Sequence, residues 1–524
     1  MADATETLRL LPWEGAEGKP CLLSGDGTGF LSRLADDIEA EQLSYAAELL
    51  KEARRLLDSR AWTTGELQLL AVELTEALIE VHRVAVSRGA RCQDRVSRMS
   101  GPSARVVATT ASKGDPMTQT VPIPLGLPME RDAGPFDPPR DITRLREARP
   151  VSPLIFPDGH EGWLVTGYDA VRQLMADTRF SSRQDIGVLH VPYETPGMPA
   201  MTEPSPQVPG LFIAMDPPDH TRLRRKLTGA FTVKRMKRLE EHISDIVERQ
   251  LDEMARLAPP VDLVKAFALP APSLVICEML GVPYEDRDSF QANSAKFMEK
   301  DVALDEKMAA YTGLTTYLAE LVSRKRAEPG EDILSDLARD DDLSIEELTG
   351  IAFLLLLAGH ETTANQLALG TFALLEHPEQ AAALRAEPEL LPDAVEELMR
   401  YLSVADIFYR YATEDIELGG ETIGKGSTVV VSLLAANHDP RRFDNPDALD
   451  VHRRARGHLS FGHGVHQCLG QQLARIEMRA GFGGLLRRFP TLQLAVPADE
   501  VKLRTDMNIY GVHALPVTWT ETER

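Results

Sequence analysis

Hydrophobic residues recur at three- and four-residue intervals over most of the chain, a spacing typical of amphipathic helices. The clearest such segments are residues 233–254, 345–375, 391–402 and 469–489. Two short runs, 413–418 and 428–433, predict strands, with four glycines to turn the chain between them. The pattern therefore predicts a mainly α-helical protein with small antiparallel β-sheets, without the alternating strand–helix units of a doubly wound fold.

Helical periodicity lapses over residues 101–139, where Pro, Gly and Ser dominate, the composition of a linker. Upstream, leucines at helical spacing form two runs, and Thr63 with Glu66 makes a capping-box pattern between them. Residues 1–100 are therefore predicted to form a small helical-hairpin domain, to which no function is assigned. Residues 140–524 form the predicted main domain.

Composition limits the possible partners. The chain has 524 residues and a formal net charge of −23, which argues against nucleic acid and anionic membranes because both bind positively charged surfaces. Its first residues lack the basic and apolar regions of a secretory signal, and the longest apolar run, residues 351–358, is too short to span a bilayer. We therefore expect a cytoplasmic protein that acts on a small molecule.

The strongest chemical signal is the segment from Phe461 to Gly470, FGHGVHQCLG, which contains Cys468. Its glycines let the backbone approach a ligand closely. Cys468 directly precedes a predicted helix, whose N–H groups and dipole favour a thiolate by about 0.3 to 1 kcal/mol. A lone cysteine is also often a buried structural thiol, so Cys468 by itself leaves both possibilities open.

The complete ten-residue pattern resembles the haem-binding signature of the cytochrome P450 family at every defining position. The resemblance covers residues from about 139 to 518 and implies the P450 fold with haem b as cofactor, contacted by Phe461, Gly462 and Gly470. Cys468 is implied to be the thiolate ligand of the iron. The implied reaction is a monooxygenation, in which one oxygen atom of O2 enters a hydrophobic small molecule by hydroxylation or epoxidation.

The long predicted helix contains the segment AGHETT, in which Glu361 and Thr362 follow the small residues Ala358 and Gly359. The small residues share a helical face with Thr362 and leave room for a ligand. The segment resembles the family's acid–alcohol pair, which implies that Glu361 and Thr362 help deliver protons to dioxygen. In an arbitrary helix, Thr362 would instead bond the carbonyl one turn earlier and Glu361 would face solvent.

Cations for the two haem propionates are expected from several elements. His220 and Arg224 lie four residues apart after an Asp-Pro-Pro turn and thus on one helical face. The family uses an equivalent histidine and arginine on the propionates, and Arg410 and His466 match two further propionate partners. A solvated basic helix face is the alternative explanation.

Glu397 and Arg400 form an E-x-x-R pattern, which is weak evidence alone because exposed pairs at this spacing are common and contribute only about 0.2 to 0.5 kcal/mol. Its position before Cys468 resembles the family's buried ion pair. That resemblance implies that the pair joins a downstream arginine, Arg453 or Arg454, and braces the cysteine loop.

Four arginines flank the cysteine loop: Arg453, Arg454, Arg456 and Arg475. Since the resemblance implies that haem lies closest to the surface here, they predict a docking site for a ferredoxin. A ferredoxin reductase would supply its electrons from NAD(P)H, because no reductase domain is recognisable in the sequence. Ordinary surface arginines are the alternative.

The family positions that frame the substrate space carry five apolar residues: Val404, Ile407, Phe408, Met507 and Ile509. They predict a hydrophobic substrate, and the resemblance implies a macrolide, another secondary metabolite or a xenobiotic. The competing hypothesis is a non-catalytic haem protein, a sensor or electron carrier that uses the N-terminal hairpin as an interaction module. The acid–alcohol pair argues against it, because neither role needs proton delivery.

Overall fold

A computed structural model of the chain describes residues 7–14, 20–25, 126–127, 131–188, 190, 203–231, 233–286, 292–293, 296–297, 303–505 and 509–520. The chain divides into two compact units, Met1–Thr118 and Gln119–Arg524. In the first unit, strands β1 (Thr7–Glu14) and β2 (Pro20–Gly25) pair antiparallel, which the sequence analysis did not anticipate. The two predicted helical runs of residues 1–100 lie outside the described residues.

α-Helices are the main regular structure in the described part of the second unit. They are α1 (Arg140–Ala148), α2 (Tyr168–Ala176), α3 (Asp219–Thr228), α4 (Val233–Ala255), α5 (Pro270–Leu280), α6 (Leu304–Ala327), α7 (Ile333–Ala338), α8 (Ile345–Glu376), α9 (Pro378–Ala386), α10 (Leu391–Leu402), α11 (Leu433–Asn437) and α12 (Gln471–Arg488). The four predicted helices correspond to α4, α8, α10 and α12, with α12 starting two residues later than expected.

Helix α8 is the central helix of this unit. It begins at a capping box, in which the Glu347 N–H donates to Ser344 Oγ at 3.1 Å and the Ser344 N–H donates to Glu347 Oε2 at 3.0 Å. Most of its later residues are buried, and it packs against α5, α6 and α12. Because a helix buried on several sides keeps a fixed position, α8 is a rigid support for any residue on it.

The strands of the second unit are short. They are β3 (Val151–Ile155), β4 (Glu161–Val165), β5 (Phe180–Ser181), β6 (Val261–Asp262), β7 (Ile407–Ala412), β8 (Ile416–Leu418), β9 (Glu421–Ile423), β10 (Thr428–Ser432), β11 (Gln493–Leu494) and β12 (Pro516–Thr518). The largest sheet has the order β3-β4-β10-β7-β5. Its β10–β4 pair is parallel, so the prediction of small antiparallel sheets needs this correction.

The final residues of the predicted linker belong to the core. Phe136 is only 5% exposed and packs edge-on against Phe372, with ring centroids 5.0 Å apart. The Tyr510 hydroxyl donates to the Pro135 carbonyl at 2.7 Å, and the Arg131 guanidinium lies 3.9 Å from the centre of the Tyr510 ring. Composition predicted a linker here, but one well-placed aromatic side chain anchors a proline-containing segment to the folded unit.

No helix in the described ranges is long and apolar enough to cross a membrane.

Candidate functional site

The loop that carries Cys468 depends on two glycines. Gly462 and Gly464 have φ of +70° and +72°, a left-handed backbone region that favours glycine. A Cβ at Gly464 would lie 2.3 Å from the carbonyl oxygen of Met175 in α2, so no side chain fits there. The Cys468 N–H donates to the Phe461 carbonyl at 2.8 Å and closes the loop just before α12.

The protonation of Cys468 differs from the expectation. Burial raises the pKa of the thiol, and the Gly470 N–H together with Arg224 and Arg475 only partly opposes this effect. The predicted helix-terminus contribution is therefore present but too small to favour a thiolate in the protein alone. A metal ion that binds the sulfur would supply the missing stabilisation and displace the proton.

Glu397 and Arg400 form the buried pair that the E-x-x-R pattern predicts. Both side chains are 0% exposed, and Arg400 donates to the two carboxylate oxygens of Glu397 at 2.8 and 2.9 Å. Arg453 is the third member, since its Nε donates to Glu397 Oε1 at 3.1 Å. The remaining donors of Arg400 are satisfied by three backbone carbonyls, those of Asn437, Pro446 and Ala448.

Asn437 connects this buried group to the cysteine loop. Its backbone carbonyl accepts from Arg400, while its side-chain oxygen accepts from the Leu459 N–H at 2.7 Å. Its side-chain nitrogen donates to Ser460 Oγ at 2.9 Å, and that hydroxyl donates to the Met399 carbonyl at 2.7 Å. The predicted brace therefore has a continuous hydrogen-bonded path from Arg400 to the residue before Phe461.

The four predicted propionate partners lie in one cluster of basic side chains. The His220 and His466 rings are 4.2 Å apart, and Arg224 in α3 donates to the Gln467 carbonyl at 2.5 Å. Burial, with the charge of Arg224, lowers the pKa of His220 to about 4. Burial, with His220, Arg410 and Arg224, lowers the pKa of His466 to about 3.

This cluster fits an anionic cofactor. His220 is 1% exposed and neither ring nitrogen has a hydrogen-bond partner in the described structure. Burial lowers the pKa of Arg410 to about 10, and Asp216 offsets the effect only partly. Buried cations are stable when an opposite charge pairs with them. The two carboxylates of haem b would provide that charge, beside the sulfur that would hold its iron.

Glu361 is buried, contrary to its alternative placement in solvent. It is 5% exposed, and Arg504 Nη2 donates to its Oε1 at 2.5 Å, whereas its Oε2 has no partner among the described residues. Burial raises the pKa of this carboxyl, although the Arg504 charge opposes the shift. A carboxyl with a raised pKa holds its proton to higher pH, as a general acid must.

Thr362 makes the hydrogen bond that is expected of a threonine in an arbitrary helix. Its hydroxyl donates to the Ala358 carbonyl one turn earlier, at 2.7 Å. The hydroxyl oxygen can still accept a hydrogen bond. Ala358 is exposed in the middle of an otherwise buried helix, so the face that carries Thr362 and Ala358 borders open space, as the small residues predicted.

Of the five predicted substrate-pocket residues, the four that the structure describes do not share one surface. Ile407 and Phe408 are partly exposed, but they pack on opposite faces of the sheet, because successive strand residues alternate. Val404 is 4% exposed and belongs to the main core beside Ile509. Met507 lies outside the described residues. Val404 is therefore a core residue, whereas Ile407 and Phe408 remain candidates for contact with a substrate.

The predicted arginine patch is also only partly available. Arg453 is held by Glu397, and Arg475 is bound to Glu396, so both belong to internal ion pairs. Arg454 is 76% exposed. Its Nε lies 4.0 Å from the Asp393 carboxylate, which makes this a weak surface contact. Of the neighbouring Arg453 and Arg454, Arg454 is therefore the one that a partner can reach.

Sequence reasoning missed three residues of this site: Glu396, Asn437 and Arg504. Their partners lie far away in the chain, so no local spacing marks them. Glu396 stands next to Glu397 in the E-x-x-R helix, and that adjacency was the one available signal.

The comparisons agree with this arrangement. Residues 317–513 match the sequence profile of the cytochrome P450 family. Cytochrome P450 105C1 of a Streptomyces species is 47% identical over 405 residues, which cover 77% of this chain and 100% of that protein. Pentalenic acid synthase of Streptomyces avermitilis is 46% identical over 407 residues, or 76% of this chain and 98% of that protein.

A solved structure shares the fold. The crystal structure of CYP105P1 in complex with filipin I superimposes with a TM-score of 0.70 at 43% identity, covering 76% of this chain and 100% of that one. The chain therefore belongs to the cytochrome P450 family. It is a haem b monooxygenase that takes electrons from NAD(P)H through redox partners and inserts one oxygen atom of O2 into a hydrophobic small molecule.

Proposed function

We propose that this protein hydroxylates or epoxidises a hydrophobic secondary metabolite, macrolide-like compound or xenobiotic, with electrons that arrive from a ferredoxin and its reductase in the cytoplasm. The names of two similar proteins support the substrate class, because one is a pentalenic acid synthase and the other was solved with filipin I. The side chain of Phe408 suits such a ligand, because it is apolar, partly exposed and on the same strand face as Arg410.

The cysteine loop carries this proposal. Cys468 would hold the haem iron, and His220, Arg224, Arg410 and His466 would pair with the propionates. When bound there, the haem supplies the activation of O2. The glycine loop and the Asn437 contacts keep the Cys468 sulfur in a fixed position, so that ligation costs little conformational entropy.

Glu361 and Thr362, both in α8, would deliver protons to the dioxygen. The raised pKa of Glu361 keeps a proton available, and its Oε2 has no hydrogen-bond partner among the described residues and can carry that proton. A sensor or an electron carrier has no use for a buried acid at this place. The buried acid therefore favours an enzyme over the non-catalytic alternative.

The decisive test combines two spectra and one assay. The reduced protein with carbon monoxide should show an absorption band shifted far to the red, the mark of thiolate ligation, and the Cys468→Ser variant should lose it. Hydrophobic metabolites that bind near the iron should then perturb the oxidised spectrum, and a binding compound should yield a product one oxygen atom heavier. A conventional haem spectrum in the unaltered protein would contradict the proposal.

A further inference from the structure

Glu396 connects the two sides of the cysteine loop. Arg475 in α12, seven residues after Cys468, donates to the Glu396 carboxylate through Nε at 2.6 Å and Nη2 at 2.9 Å. His458, ten residues before Cys468, contacts the same carboxylate through Nε2 at 3.1 Å. One carboxylate in α10 therefore binds a residue from each end of the loop.

The direction of the histidine contact follows from the backbone. The Ser460 N–H donates to His458 Nδ1 at 3.2 Å, so that nitrogen carries no hydrogen and Nε2 is the N–H donor to Glu396. The His458 side chain is 1% exposed. A buried imidazole with both nitrogens engaged has one orientation, and it transmits the position of Glu396 to the Ser460 backbone.

The arginine contact reaches the loop from the other side. The Arg475 guanidinium lies 4.4 Å from the centre of the Phe461 ring, over its face. The carbonyl of the same Phe461 accepts the Cys468 N–H. Glu396, His458, Phe461 and Arg475 therefore form a closed group around the start of the loop, which we call the Glu396 clamp.

Charge also favours the clamp. Burial alone would raise the pKa of Glu396, but the hydrogen bonds from His458 and Arg475 outweigh it and lower the pKa well below its ordinary value. The carboxylate is consequently ionised and neutralises the Arg475 charge. Arg475 contacts Glu396 through two nitrogens, and both side chains are mostly shielded from solvent. Such an ion pair is stronger than an ordinary surface pair.

We propose that Glu396 is a positioning residue that keeps the Cys468 sulfur ligated to the haem iron, by holding Arg475 against Phe461 and His458 under Ser460. This role is separate from that of the neighbouring Glu397, which accepts from the Asp450 N–H and holds Arg400, the residue that donates to the Asn437 carbonyl. The inference rests on the proposed haem ligation by Cys468.

The test uses Glu396→Gln, which keeps the shape and removes the charge, and Asp393→Asn as the matched control. Asp393 lies in the same helix, three residues earlier, and its only ion pair given by the structure is the 4.0 Å contact to exposed Arg454. The quantity measured is the rate at which the red-shifted carbon monoxide band converts to the conventional one during mild warming. Helix content is followed in parallel, so that loss of ligation is separated from unfolding.

Glu396→Gln should accelerate the conversion at least tenfold while the helix content is unchanged, and its haem reduction potential should rise because a buried negative charge is lost. Asp393→Asn should convert at the rate of the unaltered protein. In a double-mutant cycle, Glu396→Ala and Arg475→Ala should be non-additive, because each removes the same contact.

Equal rates for Glu396→Gln and Asp393→Asn, or additive effects in the cycle, would overturn the clamp while leaving the proposed function intact. If the Glu396→Gln variant binds no haem, the Arg475→Lys variant is measured in its place. That variant keeps the charge but not the forked contact, and it too must convert faster than the unaltered protein. A missing red-shifted band in the unaltered protein overturns the proposed function and the clamp together.

Discussion

Glu361 combines two properties that are rarely found in one carboxyl group. It is buried, which raises its pKa, and it is bound on one oxygen by Arg504, which prevents the side chain from turning to solvent. Arg504 also donates to Asn365 Oδ1 at 3.1 Å, and Asn365 donates to the Glu361 carbonyl at 2.9 Å. The second carboxylate oxygen has no hydrogen-bond partner among the described residues, so it can carry the proton.

The Glu361→Gln variant should turn over substrate about a hundredfold more slowly, the lower end of what a general acid contributes. In the unaltered protein, turnover should fall as pH rises through the raised pKa of Glu361, since only the protonated form donates. The variant should lack this dependence. His360 is buried with a pKa of about 4, so it stays neutral at higher pH and does not produce the same profile.

Product formation measured against pH, with electrons in excess, tests this prediction. Glu346→Gln is the control, because Glu346 is exposed in the first turn of the same helix. A Glu361→Gln variant with normal turnover and an unchanged pH profile would remove Glu361 from proton delivery.

Helix α10 supports the cysteine loop with two consecutive glutamates. Neighbouring helical residues point about 100° apart, because a helix has about 3.6 residues per turn. Glu397 therefore faces Arg400 and Arg453, whereas Glu396 faces His458 and Arg475. One short helix thus contacts the chain on both sides of the cysteine loop.

Glu397→Ala should lower the free energy of unfolding by about 3 to 5 kcal/mol and release the haem, because it leaves the buried Arg400 charge without its partner. Urea unfolding and the haem absorbance per mole of protein measure the two effects. Glu389→Ala, at an exposed position just before α10, should change neither. Full haem content in Glu397→Ala would show that the buried pair does not support the loop.

The protein as a whole carries an excess of negative charge, but a few exposed arginines lie near the cysteine loop. A ferredoxin is itself expected to be acidic, so its approach depends on these local cations more than on the net charge of −23. Arg454 and Arg456 are the exposed candidates, because Arg453 and Arg475 are engaged inside the protein.

Arg454→Glu should slow ferredoxin-driven turnover by about two- to fivefold at low salt, the effect of one surface charge worth about 0.5 to 1 kcal/mol. Turnover driven by peroxide bypasses the partner and should be unchanged. Arg144→Glu makes the same charge change at a 73% exposed position on α1 and serves as the control. An equal loss with peroxide would mean that Arg454 acts on the catalytic site and not on docking.

The sequence alone determined the features that short spacings encode. The glycine loop before Cys468 and the E-x-x-R helix are local patterns, and each occupies its predicted place. The helical class followed from periodicity for the same reason. Such signals are readable because the interacting residues lie within a turn or two of one another in the chain.

The tertiary structure decided what depends on burial and on distant partners. Arg504 reaches Glu361 across 143 residues, and Arg475 reaches Glu396 across 79. Burial reversed the expected preference of Cys468 for a thiolate and divided the arginines into internal and exposed ones. It also drew Phe136 into the core. Neither a desolvation cost nor a long-range contact leaves a local pattern in the sequence, because both arise only when the chain has folded.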